Sequence, residues 1–300
     1  MEAWIILAVA AAAFQTLRFM LQKHLSAAAL SAGGATFARF AYSAPVLAVL
    51  CAIYLFQTGA GPPRLTALFW VFALGGGLAQ VLATWCVVAL FAQRNFAVGI
   101  TFKKTEVVQT ALVGVVVLGD TVSAPALAAI VLGLGGVLVL SDDAAVTGLR
   151  ARRVFNRAAG LGLASGALFA LSAVAYRGAT LEIADPDPLL RGGVTLTVVT
   201  IVQALGLGAW LAWREGGQLG RVLAARRVAV WVGLSGMAGS LCWFTAFALQ
   251  NAAYVFAVGQ VEVVFSVIAS VVVFRERLTP REGLGIGLLS LSILGLILLR

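Results

Sequence analysis

NFAVGITFKKTEVVQTALVGVVVLGD, residues 95–120, is long enough to cross a bilayer as one helix, yet Lys103, Lys104 and Glu106 stand near its middle. Charges at that depth are costly and face a bundle interior or a wet cavity. A second stretch, NAAYVFAVGQVEVVFSVIASVVVFRE, residues 251–276, aligns with it without gaps. Asn95 falls on Asn251, Glu106-Val107-Val108 on Glu262-Val263-Val264, and Asp120 on Glu276. The chain thus carries two charged apolar segments at equivalent places of two halves.

The remainder of the 300 residues fits a membrane setting. The sequence is 61% hydrophobic and 11% charged, with a mean hydropathy of +1.02, too little charge to solvate a domain surface in water. Apolar runs of spanning length recur at roughly 3–22, 34–56, 68–91, 95–118, 124–140, 158–176, 189–213, 228–249, 253–274 and 282–299. The expected fold is all-α and integral to the membrane: ten transmembrane helices in two inverted five-helix repeats. The first repeat covers 1–140, a linker 141–157, and the second repeat 158–300. An odd number of helices per half forces the inversion. Further repeat pairs are Gly77–Leu90 with Gly236–Leu249, Arg39 with Arg191, and Arg18 with Arg177. The N-terminal MEAWIILAVAAAAFQTLRFM lacks a basic n-region and reads as the first span rather than a cleaved signal.

The net charge of +9 is not read as a nucleic-acid signature. Loops after odd-numbered spans collect Lys23, Arg94, Arg150, Arg152, Arg153, Arg157, Arg214, Arg221, Arg226, Arg227, Arg275, Arg277 and Arg281. By the positive-inside rule these loops, including the linker, are cytoplasmic and both termini lie outside. Cys51, Cys86 and Cys242 sit in apolar runs without metal or redox spacing. His24 is the only histidine, and no HExxH, Gly-x-Ser-x-Gly or Walker loop is present. No catalytic residue, metal or cofactor is expected, and without an ATP site the chain reads as a facilitator or gradient-coupled carrier rather than an enzyme or primary pump.

Two charged membrane helices at equivalent places of two halves are the best sequence pointer to a transporter's substrate site. The candidate substrate-binding residues are Lys103, Lys104, Glu106 and Glu262, with Arg18, Arg39, Gln80, Trp85, Trp243, Tyr254 and Ser266 around them. Lys103 and Glu106 share a helix face with Gly99, Thr110 and Gly114; Gly259, Glu262, Ser266 and Ser270 form the counterpart stripe. Lys104 lies about 100° from Lys103, where it either joins the cavity or snorkels to an interface. Lysines suit a carboxylate or phosphate, glutamates an amine or a proton.

The segments TEVVQTALVGVVVLGDTVSAPALAAIVLGLGGVLVL and VEVVFSVIASVVVFRERLTPREGLGIGLLSLSILGLILL each resemble the end of an EamA-like repeat of the drug/metabolite transporter superfamily. The turns Gly119-Asp120-Thr121-Val122 and Arg275-Glu276-Arg277-Leu278, and the pair Arg39-Phe40, resemble the family pattern. Val107 and Val263 depart from it, standing where the family often has proline. Lys103-Lys104 resembles the lysines of organic-phosphate exchangers in the superfamily. The resemblance implies a multi-pass transporter with cytoplasmic termini, opposite to the charge count, and a bacterial inner membrane is the expected location. Its expected work is alternating-access export of small polar or amphipathic metabolites, such as amino acids or organic anions. The expected partners are that small-molecule substrate, the lipid bilayer and a proton as coupling ion. In the coupling scheme Glu262 loads and releases the proton, while Glu106 stays ionised beside Lys103. A lipid-linked-substrate flippase of the same superfamily and an intramembrane enzyme are the alternative readings.

Overall fold

The computed structural model describes residues 2–28, 30–93, 96–119 and 157–298, with scattered positions between 123 and 139. The fifth expected span and the linker fall mainly outside the described residues. Every regular element described is helical. In chain order these are α1 (Ala3–Ala28), α2 (Ala32–Thr58), α3 (Ala67–Phe91), α4 (Phe96–Lys103) and α5 (Glu106–Leu118). There follow α6 (Arg157–Leu181), α7 (Pro188–Arg214), α8 (Gln218–Ala224), α9 (Arg226–Leu249), α10 (Ala252–Val258), α11 (Glu262–Ile268) and α12 (Pro280–Leu298).

The boundaries follow local chemistry. Ser31 caps α2 by accepting the Gly34 amide at 3.0 Å, Thr66 caps α3 by accepting the Phe69 amide at 3.0 Å, and Asp187 caps α7 just before Pro188. Glycine 59 ends α2 at φ 66°, in the left-handed region that a side chain disfavours. Among the described residues seven helices are long and apolar enough to cross a membrane, the last being the composite run Ala252–Val273. Their outer faces expose large apolar side chains such as Phe56, Leu78, Leu205 and Val272, which in water would be an aggregation surface and in lipid is the expected one.

The fourth expected span is not one helix. It stops at Lys103 and restarts at Glu106, with Lys104 and Thr105 in the turn between. The ninth is interrupted at the matching place: α10 ends at Val258, Gly259–Val261 forms a 3-10 turn, and α11 opens on Glu262. A π-helical turn, Ala269–Val273, then continues the run. The continuous polar stripe expected along the fourth span is therefore cut between Lys103 and Glu106. The seventh and eighth spans are joined by the short α8 rather than a plain loop, and α1 runs on to Ala28, which puts Lys23 and His24 on the helix.

Packing across the two halves is reciprocal. The most extensive interfaces are α3 with α6 and α1 with α9, and α2 packs on α7. Lys23 near the end of α1 bonds Glu276, which also accepts the Phe96 amide at the start of α4. At the other end of the bundle Thr66 at the start of α3 bonds Glu182 just past α6, and Tyr54 of α2 bonds Asp187.

Candidate functional site

The two helix breaks meet. Lys103 Nζ lies 3.3 Å from Glu106 Oε1 and 3.1 Å from Glu262 Oε2. Lys104 Nζ lies 3.2 Å from Glu106 Oε1 and 2.5 Å from Glu262 Oε2. All four side chains are buried. Each carboxylate opens the first turn of a half-helix, where the exposed backbone N–H groups and the helix dipole favour negative charge. The turn in the first half also frees Lys104 to reach across, and its ammonium donates to the Gly259 carbonyl at 3.4 Å. Lys104 therefore belongs to the cluster and does not snorkel to an interface.

Small residues let the breaks approach. A Cβ on Gly166 of α6 would meet Thr105 Oγ1 at 2.2 Å and the Glu106 amide nitrogen at 3.1 Å. A Cβ on Gly259 would meet the Trp243 ring at 2.1 Å. Trp243 covers the second break, and its Nε1 donates to Gln15 Oε1 at 3.2 Å. The Gln15 amide in turn donates to Glu262 Oε2 at 2.9 Å. Sequence reasoning missed Gln15, although a glutamine three residues before Arg18 in an apolar helix is a signal that could have found it.

Arg18 and Arg39 adjoin the cluster. Arg18 donates to Gln22 Oε1 at 2.8 Å, and Arg39 donates to Ser240 Oγ at 2.8 Å and Thr84 Oγ1 at 3.4 Å. Both pack on Gly236, where a Cβ would lie 2.9 Å from Arg18 Cδ and 3.0 Å from Arg39 Cγ. Among the described residues neither guanidinium makes an ion pair. Their repeat counterparts do other work: Arg177 donates to the Phe247 and Gln250 carbonyls, and Arg191 to the Ala248 carbonyl, all at the end of α9.

A cavity of about 20 Å³ sits over this cluster. That is room for roughly one water. Glu106, Gln15, Gln80 and Ser240 contribute its polar lining, while Phe169, Tyr176, Trp243, Phe244, Phe247 and Phe256 form an aromatic wall. Of the residues expected around the site, Gln80 and Trp243 line this cavity. Trp85 does not: it faces a groove between α3 and α7 and packs edge-on against Trp210 at 4.9 Å. The repeat likeness between the segments carrying Trp85 and Trp243 thus does not carry over to their positions, because only Trp243 has a helix break beside it. Tyr254 is half-buried on α10 and packs against the main apolar core. Ser266 is buried, but its hydroxyl donates to the Val263 carbonyl of its own helix at 2.7 Å.

The expected division of labour between the glutamates is overturned. Lys103 and Lys104 each contact both Glu106 and Glu262, so no single lysine sets one carboxylate apart from the other. Each keeps one buried oxygen without a hydrogen-bond partner, Glu106 Oε2 and Glu262 Oε1, and what differs is that Glu106 lines the cavity and Glu262 does not.

Apolar helices of spanning length, with two runs broken in register around buried charges, are the architecture of a multi-pass membrane protein. Residues 156–298 match the EamA-like transporter family. That match lies within the second half of the chain, and the family it names is one of the drug/metabolite transporter superfamily. No curated protein matches the sequence. A crystal structure described only as that of a protein shares the fold with a TM-score of 0.62 at 14% identity, covering 99% of this chain and 97% of the other.

Proposed function

We propose that this chain is a secondary transporter of small amphipathic metabolites bearing a carboxylate, amino acids foremost and organic anions next, working by alternating access as an exporter. The carrying observation is the charge balance at the helix breaks. Among the described residues, the buried charged side chains are four cations (Arg18, Arg39, Lys103, Lys104) and two carboxylates (Glu106, Glu262). Uncompensated charge away from water is strongly unfavourable, so an excess of cations favours an anionic guest. The unpartnered Glu106 Oε2 offers an acceptor for an amine, and the aromatic wall suits an apolar side chain.

In this reading the two halves are inverted five-helix repeats, with the fourth and ninth spans flanking the central site. The matching breaks and the reciprocal α1–α9 and α3–α6 packing support it. The cavity is too small for an amino acid, so the conformation is an occluded one. Contacts at both ends would have to open in turn: Lys23 with Glu276 at one, Tyr54 with Asp187 and Thr66 with Glu182 at the other. The carboxylate oxygens left open on Glu106 and Glu262 are where a coupling proton would attach.

Purified protein in liposomes preloaded with single amino acids or organic acids tests this reading. Counterflow of unmodified substrate that is lost in Lys103→Met and Glu262→Gln is the expected result. Chemical conversion of the substrate, or full counterflow in both variants, would overturn it.

A further inference from the structure

A groove of about 610 Å³ lies between α3 of the first half and α7 of the second. Leu74, Leu78 and Leu82 of α3 and Val202 of α7 are exposed apolar side chains of its lining. Its floor is open at Gly206, where an added Cβ would meet nothing within 4 Å. Gln203 also lines it but is only 5% exposed, so little of its amide meets an occupant. A concave apolar surface of this kind seats a hydrocarbon chain better than a polar solute.

The groove is about one leaflet deep. Its lining on α7 runs from Val199 to Trp210. At the helical rise that is about 16 Å, against about 15 Å for half of the hydrocarbon core. Helix α7 runs from Pro188 to Arg214, so the groove belongs to the C-terminal half of the helix and to the leaflet on that side. Trp85 and Trp210 close this end, edge to face with ring centroids 4.9 Å apart. Tryptophan is the usual marker of the membrane–water interface.

Beyond the tryptophans the surface turns basic. Trp213 is 77% exposed, and the Arg214 guanidinium lies 5.0 Å from its ring centroid. Helix α8 follows. Its Leu219 packs in the same apolar cluster as Val81 and Trp85, two lining residues of the groove. Its Val222 is buried, and the Val222 carbonyl accepts from the Tyr42 hydroxyl, which fixes α8 against α2. Arg221 of α8 is exposed, as are Arg226 and Arg227 at the start of α9. Among the described residues none of these four arginines makes an ion pair. The only acid between Arg214 and Arg227 is Glu215, and it is engaged by the Ser31 hydroxyl. The positive charge at the mouth of the groove is therefore left for an outside anion. A guanidinium pairs with phosphate oxygens through two parallel N–H donors, and basic clusters at this level attract anionic headgroups.

We propose that the α3–α7 groove seats an acyl chain of an anionic phospholipid, whose phosphate is held by Arg214 and Arg221. The lipid fills a gap between the two halves of the bundle, in the leaflet facing the arginine-rich end. It is a structural ligand, separate from any guest of the central cavity.

The test uses full-length protein in uncharged detergent, titrated with phosphatidylglycerol, with phosphatidylcholine of the same acyl chains, and with glycerol phosphate. The thermal midpoint is the readout. Phosphatidylglycerol is expected to raise it at concentrations where phosphatidylcholine does little, and glycerol phosphate is expected to leave it unchanged. Arg214→Gln and Arg221→Gln should each weaken half-saturation by phosphatidylglycerol about fivefold and leave the phosphatidylcholine curve as it was. Gly206→Leu fills the groove from its floor and Leu78→Trp from its rim, and each should weaken the response to phosphatidylglycerol. A lipid-free midpoint near that of the parent shows that a variant is folded. In the parent, bromine-labelled phosphatidylglycerol should quench tryptophan fluorescence more than bromine-labelled phosphatidylcholine, a reading that needs no variant. Equal responses to the two lipids, or arginine variants that titrate like the parent, would reduce the groove to unselective lipid contact and overturn the proposal. A shift reproduced by glycerol phosphate, or left intact in folded groove variants, would remove the acyl seat and overturn it as well.

Discussion

Lys104 Nζ of the first half lies 2.5 Å from Glu262 Oε2 of the second, and this contact ties one helix break to the other. Both residues are buried, so neither can exchange its partner for bulk water. Removing one member of such a pair strands the other and typically costs about 3–5 kcal/mol, whereas removing both is far milder. Lys104→Met and Glu262→Gln are each expected to lower the thermal midpoint in detergent, and the double variant to recover most of it. Transport should be lost in Glu262→Gln and in the double variant, where no lysine–carboxylate pair bridges the two breaks, while Lys104→Met keeps the Lys103–Glu262 pair. A single variant with unchanged stability and flux would refute this.

Steric room at the breaks is equally specific. Gly259 has φ −62°, which alanine adopts freely, so only space opposes a side chain there. Its added Cβ would overlap the Trp243 ring. Gly259→Ala should destabilise by about 1–3 kcal/mol, the usual cost of overpacking. Adding Trp243→Phe should restore part of the loss, as read by thermal unfolding of the two variants side by side.

The two repeats solve one turn differently. Gly119 ends α5 at φ 69°, and the residue at the equivalent position, Arg275, takes φ 54°. A side chain in that left-handed region costs about 1 kcal/mol. Gly119→Ala should therefore destabilise even though no atom lies within 4 Å of its added Cβ, and Arg275→Gly should stabilise by a similar amount. Equal unfolding midpoints for both variants and the parent would contradict the strain argument.

Glu276 closes one end of the bundle. It accepts from Lys23, from the Ser270 hydroxyl and from the Phe96 amide. Burial works against its ionised form, but the Lys23 ammonium, the Ser270 hydroxyl and the Phe96 amide outweigh it and hold the carboxyl below the usual glutamate range. With the folded value depressed, its stabilisation is complete above the ordinary glutamate range and fades as pH falls toward the lowered value. Glu276→Gln should flatten this acid limb of stability, read by thermal unfolding across the acid pH range. An unchanged acid limb would remove Glu276 from that role.

Charge distribution bears on orientation. α8 and its flanks carry Arg214, Arg221, Arg226 and Arg227, and the far end of the chain carries Arg275, Arg277 and Arg281. By the positive-inside rule these segments are expected to be cytoplasmic and both termini external. A reporter fused after Arg300 that is active only outside the cytoplasm is the expected outcome; cytoplasmic activity would reverse the assignment.

The sequence by itself determined the solvent and which charged residues stand at matching positions. Hydropathy alone demands lipid around most of the chain, since so few charges cannot solvate its surface. The gap-free match of residues 95–120 to 251–276 fixed which charges are equivalent, because a repeat preserves register. What only the tertiary structure decided was how those charges meet. Helical periodicity treats Lys103 and Glu106 as stacked neighbours on one continuous helix. A break between them depends on partners supplied by α6 and by the opposite half, such as Gly166 and Glu262, which no local pattern contains. For the same reason Trp85 and Trp243 look alike in sequence and part company in space, and Gln15 and Tyr176 become site residues only when α1 and α6 pack against the breaks. Burial in a bundle is a property of several segments at once, so spacing along one segment identifies candidates and the packing chooses among them.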